Sequence, residues 1–242
     1  MVTTLSIASL SIAVEHAHLH LRQQCVAYLT DAPADFSVSV TQEMIERERA
    51  ASTEVGASDG YCESIAAYRE IARRLPEFDA LLLHAAVIEV GGKAFAFTAR
   101  SGTGKSTHIR LWRKVYGEAV GIVNGDKPIL RFGEDGILRA YGTPWAGKEG
   151  WHRNIGVPLS AIVVLERGAV DRISDLPKGD AASHLLSQIL LGETPDEALA
   201  ALGMLDRVLG AVDTKILYCT PTEEAARVAY ALLASENENK GV

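Results

Sequence analysis

Residues 99–107 form the stretch of the sequence whose residue types and spacing most directly predict chemistry. An apolar run at 94–98 precedes this glycine-containing segment, and a pattern typical of a helix follows it from Lys105. A strand, loop and helix in this order direct backbone N–H groups and the positive end of a helix dipole toward a phosphate. We therefore predict a phosphate-binding loop in which Lys105 contacts the β- and γ-phosphates and Ser106 contacts Mg²⁺. The residues predicted to hold the nucleotide there are Ser101, Gly102, Thr103, Gly104, Lys105, Ser106 and Thr107.

One position of this loop departs from the general pattern. The pattern has a further glycine five residues before Gly104, and this sequence has Ala99 there. Because alanine adds only one methyl group to glycine, we expect the loop to keep its form. The alternative interpretation is a glycine-rich turn that joins a strand to a helix without binding a phosphate.

The composition limits the class of protein to which the chain belongs. Of its 242 residues, 48% are hydrophobic and 23% are charged, as in a globular protein with a sizeable core. The net charge of −7 argues against binding to nucleic acid or to a membrane surface. Three widely spaced cysteines predict neither a disulfide framework nor a zinc site. No apolar run approaches the length of a membrane span and no basic start marks a signal peptide, so we expect a cytoplasmic protein.

The order of apolar runs and helical patterns predicts an α/β fold. We expect a mixed central sheet that carries the phosphate-binding loop, with helices on both faces and a strand-rich N-terminal region before it. The small, polar segment 51–60 is the best linker in the sequence. We therefore predict a strand-rich N-terminal subdomain at 1–60 and a nucleotide-binding, kinase-like domain at 61–242.

The N-terminal region contains a possible histidine face. Segments 4–14 and 18–29 carry alternating and β-branched residues that favour strands. His16, His18 and His20 would then lie on one side of a strand. Both a metal site and an exposed or half-buried histidine face are compatible with that spacing.

Two further residues are expected near the loop because of their positions on strands. The run 81–90 is too apolar to alternate, so we predict one central strand that contains His84. Gly91 and Gly92 then form a hairpin turn into the strand at 94–98. Asp126 follows the next apolar strand, at 119–124, and an acidic residue at that point binds the Mg²⁺ of a nucleotide.

Residues 142–154 form a long loop with two tryptophans and two cations. Loops carry function when a scaffold positions them. Lys148 and Arg153 are candidates for contacts with the γ-phosphate or the acceptor, because phosphoryl transfer requires its developing charge to be neutralised. The alternative is a solvated loop with its tryptophans packed beneath it.

The segment from His84 to Asp126 resembles the nucleotide-binding core of the HPr kinase/phosphorylase and phosphoenolpyruvate carboxykinase superfamily. The resemblance is carried by Leu83-His84-Ala85, by Ser101-Gly102-Thr103-Gly104-Lys105-Ser106 and by Asn124-Gly125-Asp126. The stretches Asp126-Lys127-Pro128 and 142–148 are similar to a group of small, largely uncharacterised bacterial kinase-like proteins in this superfamily. The motifs span residues from about 80 to 220.

The resemblance implies a role for particular residues. His84 matches a histidine near the metal and the phosphates, Lys105 and Ser106 match the phosphate and metal positions of the loop, and Asp126 matches the second member of an acidic pair. Gly125 stands where the family has the first member. The implied metal ligands are thus Ser106, Asp126 and His84, and the base for the acceptor hydroxyl is either Asp126 or His84.

Three functions follow from these residues. The first is an ATP-dependent kinase that uses Mg²⁺ or Mn²⁺ and phosphorylates a hydroxyl of a small molecule, peptide or protein, with His84, Asp126, Lys105 and Arg153 as catalytic residues and Lys148 as a further nucleotide contact. The second is a non-catalytic nucleotide sensor or partner protein, suggested by Gly125. The third is a plain NTPase motor or switch. The sequence leaves open GTP or pyrophosphate as the donor, and it allows a homo-oligomer.

Overall fold

The computed structural model describes residues 1–100 and 102–239, and side chains as far as residue 233. The strands are β1 (Val2–Ile7), β2 (Leu10–Glu15), β3 (Phe36–Ser39), β4 (Ala80–Leu82), β5 (Ala85–Val90), β6 (Lys93–Thr98), β7 (Gly121–Asn124), β8 (Ile129–Phe132), β9 (Leu138–Tyr141), β10 (Gly156–Arg167), β11 (Arg172–Asp175) and β12 (Asp213–Cys219). The α-helices are α1 (Leu19–Gln24), α2 (Gln42–Ala51), α3 (Asp59–Arg74), α4 (Lys105–Tyr116), α5 (Lys178–Leu185), α6 (Pro195–Ala211) and α7 (Glu223–Asn239).

The central sheet is mixed, as predicted, and β10 organises it. The strand order is β4-β8-β9-β10-β6-β5-β7, and β12 pairs with β10 and β11. The first residues of β10 pair antiparallel with β9, whereas its remainder lies between β6 and β12 and is parallel to both. The carboxyl ends of β6, β10 and β12 therefore meet at one edge of the sheet, which is where open α/β sheets bind ligands.

Helices cover both faces of this parallel region. Along β6, Ala94 and Ala96 pack in a cluster with residues of α5 and α6, whereas Phe95 and Phe97 pack with residues of α4 and α7. Successive side chains of a strand point to opposite faces, so a strand covered on both sides is apolar at every position. The unbroken apolar run of β6 is thus explained by the two helical layers.

The N-terminal residues form a separate three-stranded sheet, β1-β2-β3. The predicted strand at 18–29 is wrong: the structure has α1 there, followed by a 3-10 turn over Val26–Tyr28. Buried Leu21 and Tyr28 anchor this helical segment in the core, and their separation of seven residues fits two helical turns rather than the alternation of a strand. The N-terminal sheet shares its core with α3, with β4 and with Trp145. The division at residue 60 stays a prediction.

The three N-terminal histidines do not share a strand face. His16 follows β2 and is buried, with Nε2 at 2.8 Å from Thr3 Oγ1 and Nδ1 at 2.9 Å from the carbonyl of His18. His18 precedes α1 and His20 lies in α1. The part of the chain that the structure describes contains no cluster of three or more histidine, cysteine, aspartate or glutamate side chains suited to a metal.

The predicted strand at 81–90 is broken into two. It forms β4 and β5, and Leu83 and His84 lie between them. By contrast, the structure confirms the helix that begins at Lys105, the strand at 94–98 and the hairpin turn at Gly91 and Gly92. Across the described residues, no helix has the length and apolar character needed to traverse a lipid bilayer.

Candidate functional site

The loop between β6 and α4 depends on glycine conformations. Gly102 has a φ of +79° and Gly104 a φ of +125°, in the region that side chains rarely adopt. Gly104 is the N-cap of α4, so the first backbone N–H groups of that helix are left for a ligand. Ser101, which we also predicted to bind the nucleotide, lies outside the described residues. Ala99 is buried in the core cluster that also contains Ile109, so its methyl group is accommodated among apolar side chains.

The break between β4 and β5 is what brings His84 to this loop. Its backbone N–H donates to the carbonyl of Gln188 at 2.7 Å, and its carbonyl accepts from Thr98 Oγ1 at 3.0 Å. Its side chain Nδ1 lies 3.0 Å from Gln188 Oε1. Three contacts from two other elements therefore fix the position of His84.

The contacts of Gln188 also determine the histidine tautomer. Gln188 Nε2 donates to Ser187 Oγ at 2.8 Å, so Gln188 Oε1 remains as an acceptor for His84 Nδ1. His84 Nδ1 therefore carries a hydrogen atom, and Nε2 of the neutral ring presents a lone pair. Gln188 itself is almost fully buried, which limits its alternative orientations.

Lys105, His84 and Asp126 form a chain of contacts around His84 Nε2. This nitrogen lies 2.7 Å from Lys105 Nζ and 3.0 Å from Asp126 Oδ1. A neutral His84 accepts a hydrogen bond from the Lys105 ammonium, whereas a protonated His84 donates to the Asp126 carboxylate. The same nitrogen is thus stabilised with or without a proton, as a proton-transfer group requires.

Asp126 is held as a carboxylate. Its backbone N–H and that of Lys127 both donate to Oδ1 of buried Asn124, at 2.9 and 2.7 Å. Burial raises the pKa of Asp126, but the hydrogen bond that a protonated His84 donates and the charge and hydrogen bond of Lys127 outweigh it and lower the pKa to about 2. Asp126 is therefore ionised throughout the neutral range and is a weak base there.

Burial acts in the opposite sense on Lys105. Desolvation lowers the pKa of its amine to about 8, the Asp126 carboxylate opposes that shift, and the charge of Lys127 adds to it. The ammonium form is thus destabilised in the absence of an anion. A phosphate group placed beside Lys105 would supply the missing negative charge.

A cavity of about 660 Å³ opens over these three side chains. Gly102, Gly104, Ser106, Thr107 and Lys148, all predicted nucleotide contacts, line it, whereas Thr103 does not. The opposite wall comes from α2, α3 and the segment between them, through Glu48, Glu54, Tyr61, Tyr68 and Arg69. We did not predict this wall, because no residue spacing near 48–69 connects it with the loop.

Gly125 is explained by packing. A Cβ atom at this position would lie 2.8 Å from the backbone oxygen of Ala146, and the Gly125 N–H donates to the carbonyl of Trp151 at 2.8 Å. The loop 142–154 therefore passes directly over Gly125 and leaves no room for a side chain. The course of this loop therefore accounts for the glycine at this position.

We expect Gly125→Ala to destabilise the protein by about 1–3 kcal/mol, because the new methyl group meets backbone rather than a flexible side chain. Urea unfolding measures the change in the free energy of unfolding. Gly179→Ala is the matched control: that helical glycine has open space around its Cβ position, so the variant is expected to be as stable as the wild type or slightly more stable. A Gly125→Ala variant of wild-type stability would contradict the steric explanation.

The structure does not bring Arg153 to the cavity. Its Nε donates to the carbonyl of Ile122 at 2.8 Å, and its guanidinium pairs with Glu89 at 2.7 Å. Lys148 does line the cavity, but its side chain is 90% exposed and lies 3.7 Å from Glu54. Of the two cations of this loop, Lys148 is therefore the one within reach of a ligand in the cavity.

The residues present fit a hard divalent cation only in part. The Asp126 carboxylate and the Ser106 hydroxyl both line the cavity and are oxygen ligands of the kind that Mg²⁺ prefers. His84 Nε2 is a nitrogen ligand and already faces Lys105 and Asp126. The oxygens of the described residues alone do not complete a coordination shell here, so the phosphates and water would provide the remaining ligands.

Comparisons with known proteins find only a weak structural similarity. No protein-family model matches the chain, and no curated protein has significant similarity to it. Among solved structures it is similar to the Hpr(Ser) kinase/phosphatase from Coxiella burnetii, at 11% sequence identity over 66% of this chain and 96% of that chain, with a TM-score of 0.34. At this level of similarity the function must be argued from the site itself.

Proposed function

We propose that the protein is an ATP-dependent kinase that transfers the γ-phosphoryl group to a hydroxyl of a small molecule, peptide or protein. The observation that carries the proposal is the contact chain Lys105–His84–Asp126 at the start of α4, open to a cavity of about 660 Å³. It combines a half-buried cation, a proton-transfer group and a carboxylate beside free helix N–H groups. Phosphoryl transfer requires these groups together.

Charge neutralisation is the first task of this site. The loop N–H groups and the Lys105 ammonium would hold the phosphate oxygens, and a phosphate would in turn restore the charge that burial disfavours on Lys105. Ser106 and Asp126 would hold Mg²⁺ or Mn²⁺, which supplies charge stabilisation to the transferring group. Lys148 would contact the phosphates or the acceptor from the far side of the cavity.

Proton transfer from the acceptor is the second task, and we assign it to His84. In the reaction the acceptor oxygen forms a bond to the γ-phosphorus, the bond from that phosphorus to the β–γ bridging oxygen breaks, and ADP leaves with the electron pair. The hydroxyl proton passes to His84 Nε2. With its pKa near 2, Asp126 is too weak a base at neutral pH, and instead it stabilises the protonated ring of His84.

The acceptor has room beside Asp126. A second cavity of about 600 Å³ shares Glu54, Tyr61, Tyr68, Asp126 and Lys148 with the first. The two together form a groove between α3 and the loop 142–154. The tyrosines offer apolar faces with hydroxyl groups, so the groove would contact more of the acceptor than its reacting hydroxyl.

Gln188 is proposed to position His84, and this can be tested separately. We expect Gln188→Leu to lower kcat about tenfold with little change in nucleotide affinity, because His84 Nδ1 loses its acceptor and the tautomer is no longer fixed. Gln188→Glu retains an acceptor for Nδ1, so it is expected to restore most of the activity. Equal losses of kcat in both variants, or a loss of nucleotide affinity, would indicate a merely structural role.

The kinase activity is tested with labelled donor. The purified protein is incubated with γ-labelled ATP, Mg²⁺ and a pool of metabolites, peptides and proteins, and mass spectrometry identifies any product that has gained a phosphate group. We expect a labelled product with the wild type and none with Lys105→Met. Nucleotide binding without a product in any pool would favour the nucleotide-binding partner protein, and ATP hydrolysis without a phosphorylated product would favour a plain NTPase.

A further inference from the structure

We propose that a separate cavity, on the side of the loop away from His84 and Asp126, binds the nucleoside of the phosphoryl donor. This nucleoside cavity has a volume of about 450 Å³ and is lined by Thr107, His108, Leu111, Arg167, Cys219 and Pro221, among others. The inference rests on the proposed function, because it concerns the donor of the same reaction. It also commits to a nucleotide donor rather than pyrophosphate or polyphosphate.

The position of the nucleoside cavity follows from the sheet. Arg167 ends β10 and Cys219 ends β12, so the cavity lies at the carboxyl ends of two parallel strands and beside the first turn of α4. Gly102, Gly104 and Thr107 line both this cavity and the one that contains His84. The loop therefore separates two cavities and is accessible from both.

A nucleoside triphosphate matches these two cavities because it has a phosphate at one end and a nucleoside at the other. His84, Lys105 and Asp126 line only the first of the two cavities, which is where the γ-phosphate has to lie for transfer. The other phosphates would then follow the loop, and the nucleoside would leave it past Thr107 on the opposite side. The nucleoside cavity lies on that side of the loop, next to Thr107.

The lining of the nucleoside cavity suits a base better than a further phosphate. Leu111 and Pro221 are apolar, and the polar atoms of Thr220 are engaged, since its N–H and Oγ1 lie 2.6 and 3.0 Å from the Asp171 carboxylate. The guanidinium of Arg167 donates to the carbonyl of Gly102 at 2.7 Å and offers a planar surface. A base stacks on such surfaces, and the volume is within the usual range for small ligands.

His108 lines this cavity, and its side chain has a buried ring nitrogen without a hydrogen-bond partner among the described residues. The ring is 3% exposed, and its Nε2 accepts a hydrogen bond from Trp112 Nε1 at 2.9 Å. Because an indole N–H only donates, the hydrogen of the neutral histidine ring is on Nδ1. Within the described part of the chain Nδ1 has no hydrogen-bond partner. A buried donor of this kind is stabilised by an acceptor, which a base or a ribose provides.

Cys219 serves as a reporter of occupancy in the wild-type protein. Cys25 and Cys62 are fully buried, whereas Cys219 is half-buried and lines the nucleoside cavity. Its modification by N-ethylmaleimide is followed by mass spectrometry at about pH 8.5, because burial raises the pKa of this thiol and the thiolate is the reacting form. Cys219→Ser, which should not be modified, confirms the site of labelling.

The two probes are ADP and tripolyphosphate, both without divalent cations. We expect ADP to slow the modification of Cys219 at least about tenfold and tripolyphosphate to slow it less than about twofold. A Cys219→Phe variant, which fills the nucleoside cavity, is expected to lose about tenfold or more in ADP affinity by calorimetry and to keep its affinity for tripolyphosphate. Retained tripolyphosphate binding shows that the loop of this variant is folded.

The outcomes separate this inference from the proposed function. If ADP binds but neither protects Cys219 nor responds to Cys219→Phe, the nucleoside lies elsewhere and this inference is overturned, while the kinase proposal stands. If tripolyphosphate slows the modification of Cys219 as much as ADP does, the cavity does not distinguish a nucleoside from a phosphate and the inference is again overturned. If neither ligand binds, the proposed function fails and the inference with it.

Discussion

Lys105→Met is expected to abolish phosphoryl transfer and, at neutral pH, to make the protein more stable. We expect transfer to fall about 10³-fold or more, because the variant lacks the cation that we propose to contact the phosphates. The free energy of unfolding at pH 7 is expected to rise by about 1 kcal/mol, because the variant no longer buries an ammonium group. A labelled-ATP assay and urea unfolding measure the two effects.

The pH dependence of stability distinguishes this explanation from improved packing. The pKa of Lys105 is about 8 in the folded protein, below the ordinary value of a lysine. Between about pH 8 and pH 10.4 the unfolded wild type therefore binds more protons than the folded one, and its stability rises with pH through that window. The advantage of Lys105→Met should accordingly shrink as the pH rises from 8 toward 10.4.

Lys148→Met is the matched control for stability. It makes the same chemical change at a side chain that is 90% exposed and whose ion pair with Glu54 is 3.7 Å long. We expect no change in the free energy of unfolding beyond about 0.5 kcal/mol and no dependence of the difference on pH in this window. If Lys105→Met were less stable than the wild type at pH 7, the claim that burial destabilises the ammonium form of Lys105 would be wrong.

The loop could be predicted from the sequence because its signals are local. Two glycines in conformations that other residues avoid, an apolar strand before them and a helix after them all lie within about 25 residues. Each of these features is a property of neighbouring residues, and so the end of β6 and the start of α4 agree with the predicted ones.

The environment of His84 could not be predicted, because distant residues determine it. The break between β4 and β5 is stabilised by hydrogen bonds to Gln188, 104 residues away in the sequence. An apolar run from 81 to 90 shows no sign of that break. Arg153 illustrates the same limit. Its charge led us to predict a contact with the γ-phosphate or the acceptor, but its guanidinium pairs with Glu89 on β5, away from the cavity.

Asp126→Asn is expected to lower phosphoryl transfer at least about 10²-fold and to make phosphate binding more sensitive to pH. The Asp126 carboxylate raises the pKa of Lys105, so its removal lowers that pKa further below about 8. A larger fraction of Lys105 is then neutral at neutral pH. Tripolyphosphate affinity, measured by calorimetry in EDTA from pH 6 to 9, should fall at a lower pH in the variant than in the wild type.

Lys127→Met is expected to shift the pKa of Lys105 in the opposite direction, and so it completes the test of how neighbouring charges act on Lys105. The charge of Lys127 lowers the pKa of Lys105, so its removal raises that pKa. Tripolyphosphate affinity should then persist to a higher pH than in the wild type.

Because EDTA removes divalent cations, neither shift involves the proposed metal role of Asp126. The two variants change adjacent residues in contact with one another, and a general disturbance of this turn would move both profiles in the same direction. Opposite displacements of the two profiles would show that the charges around Lys105 set the pH range in which the site binds phosphate.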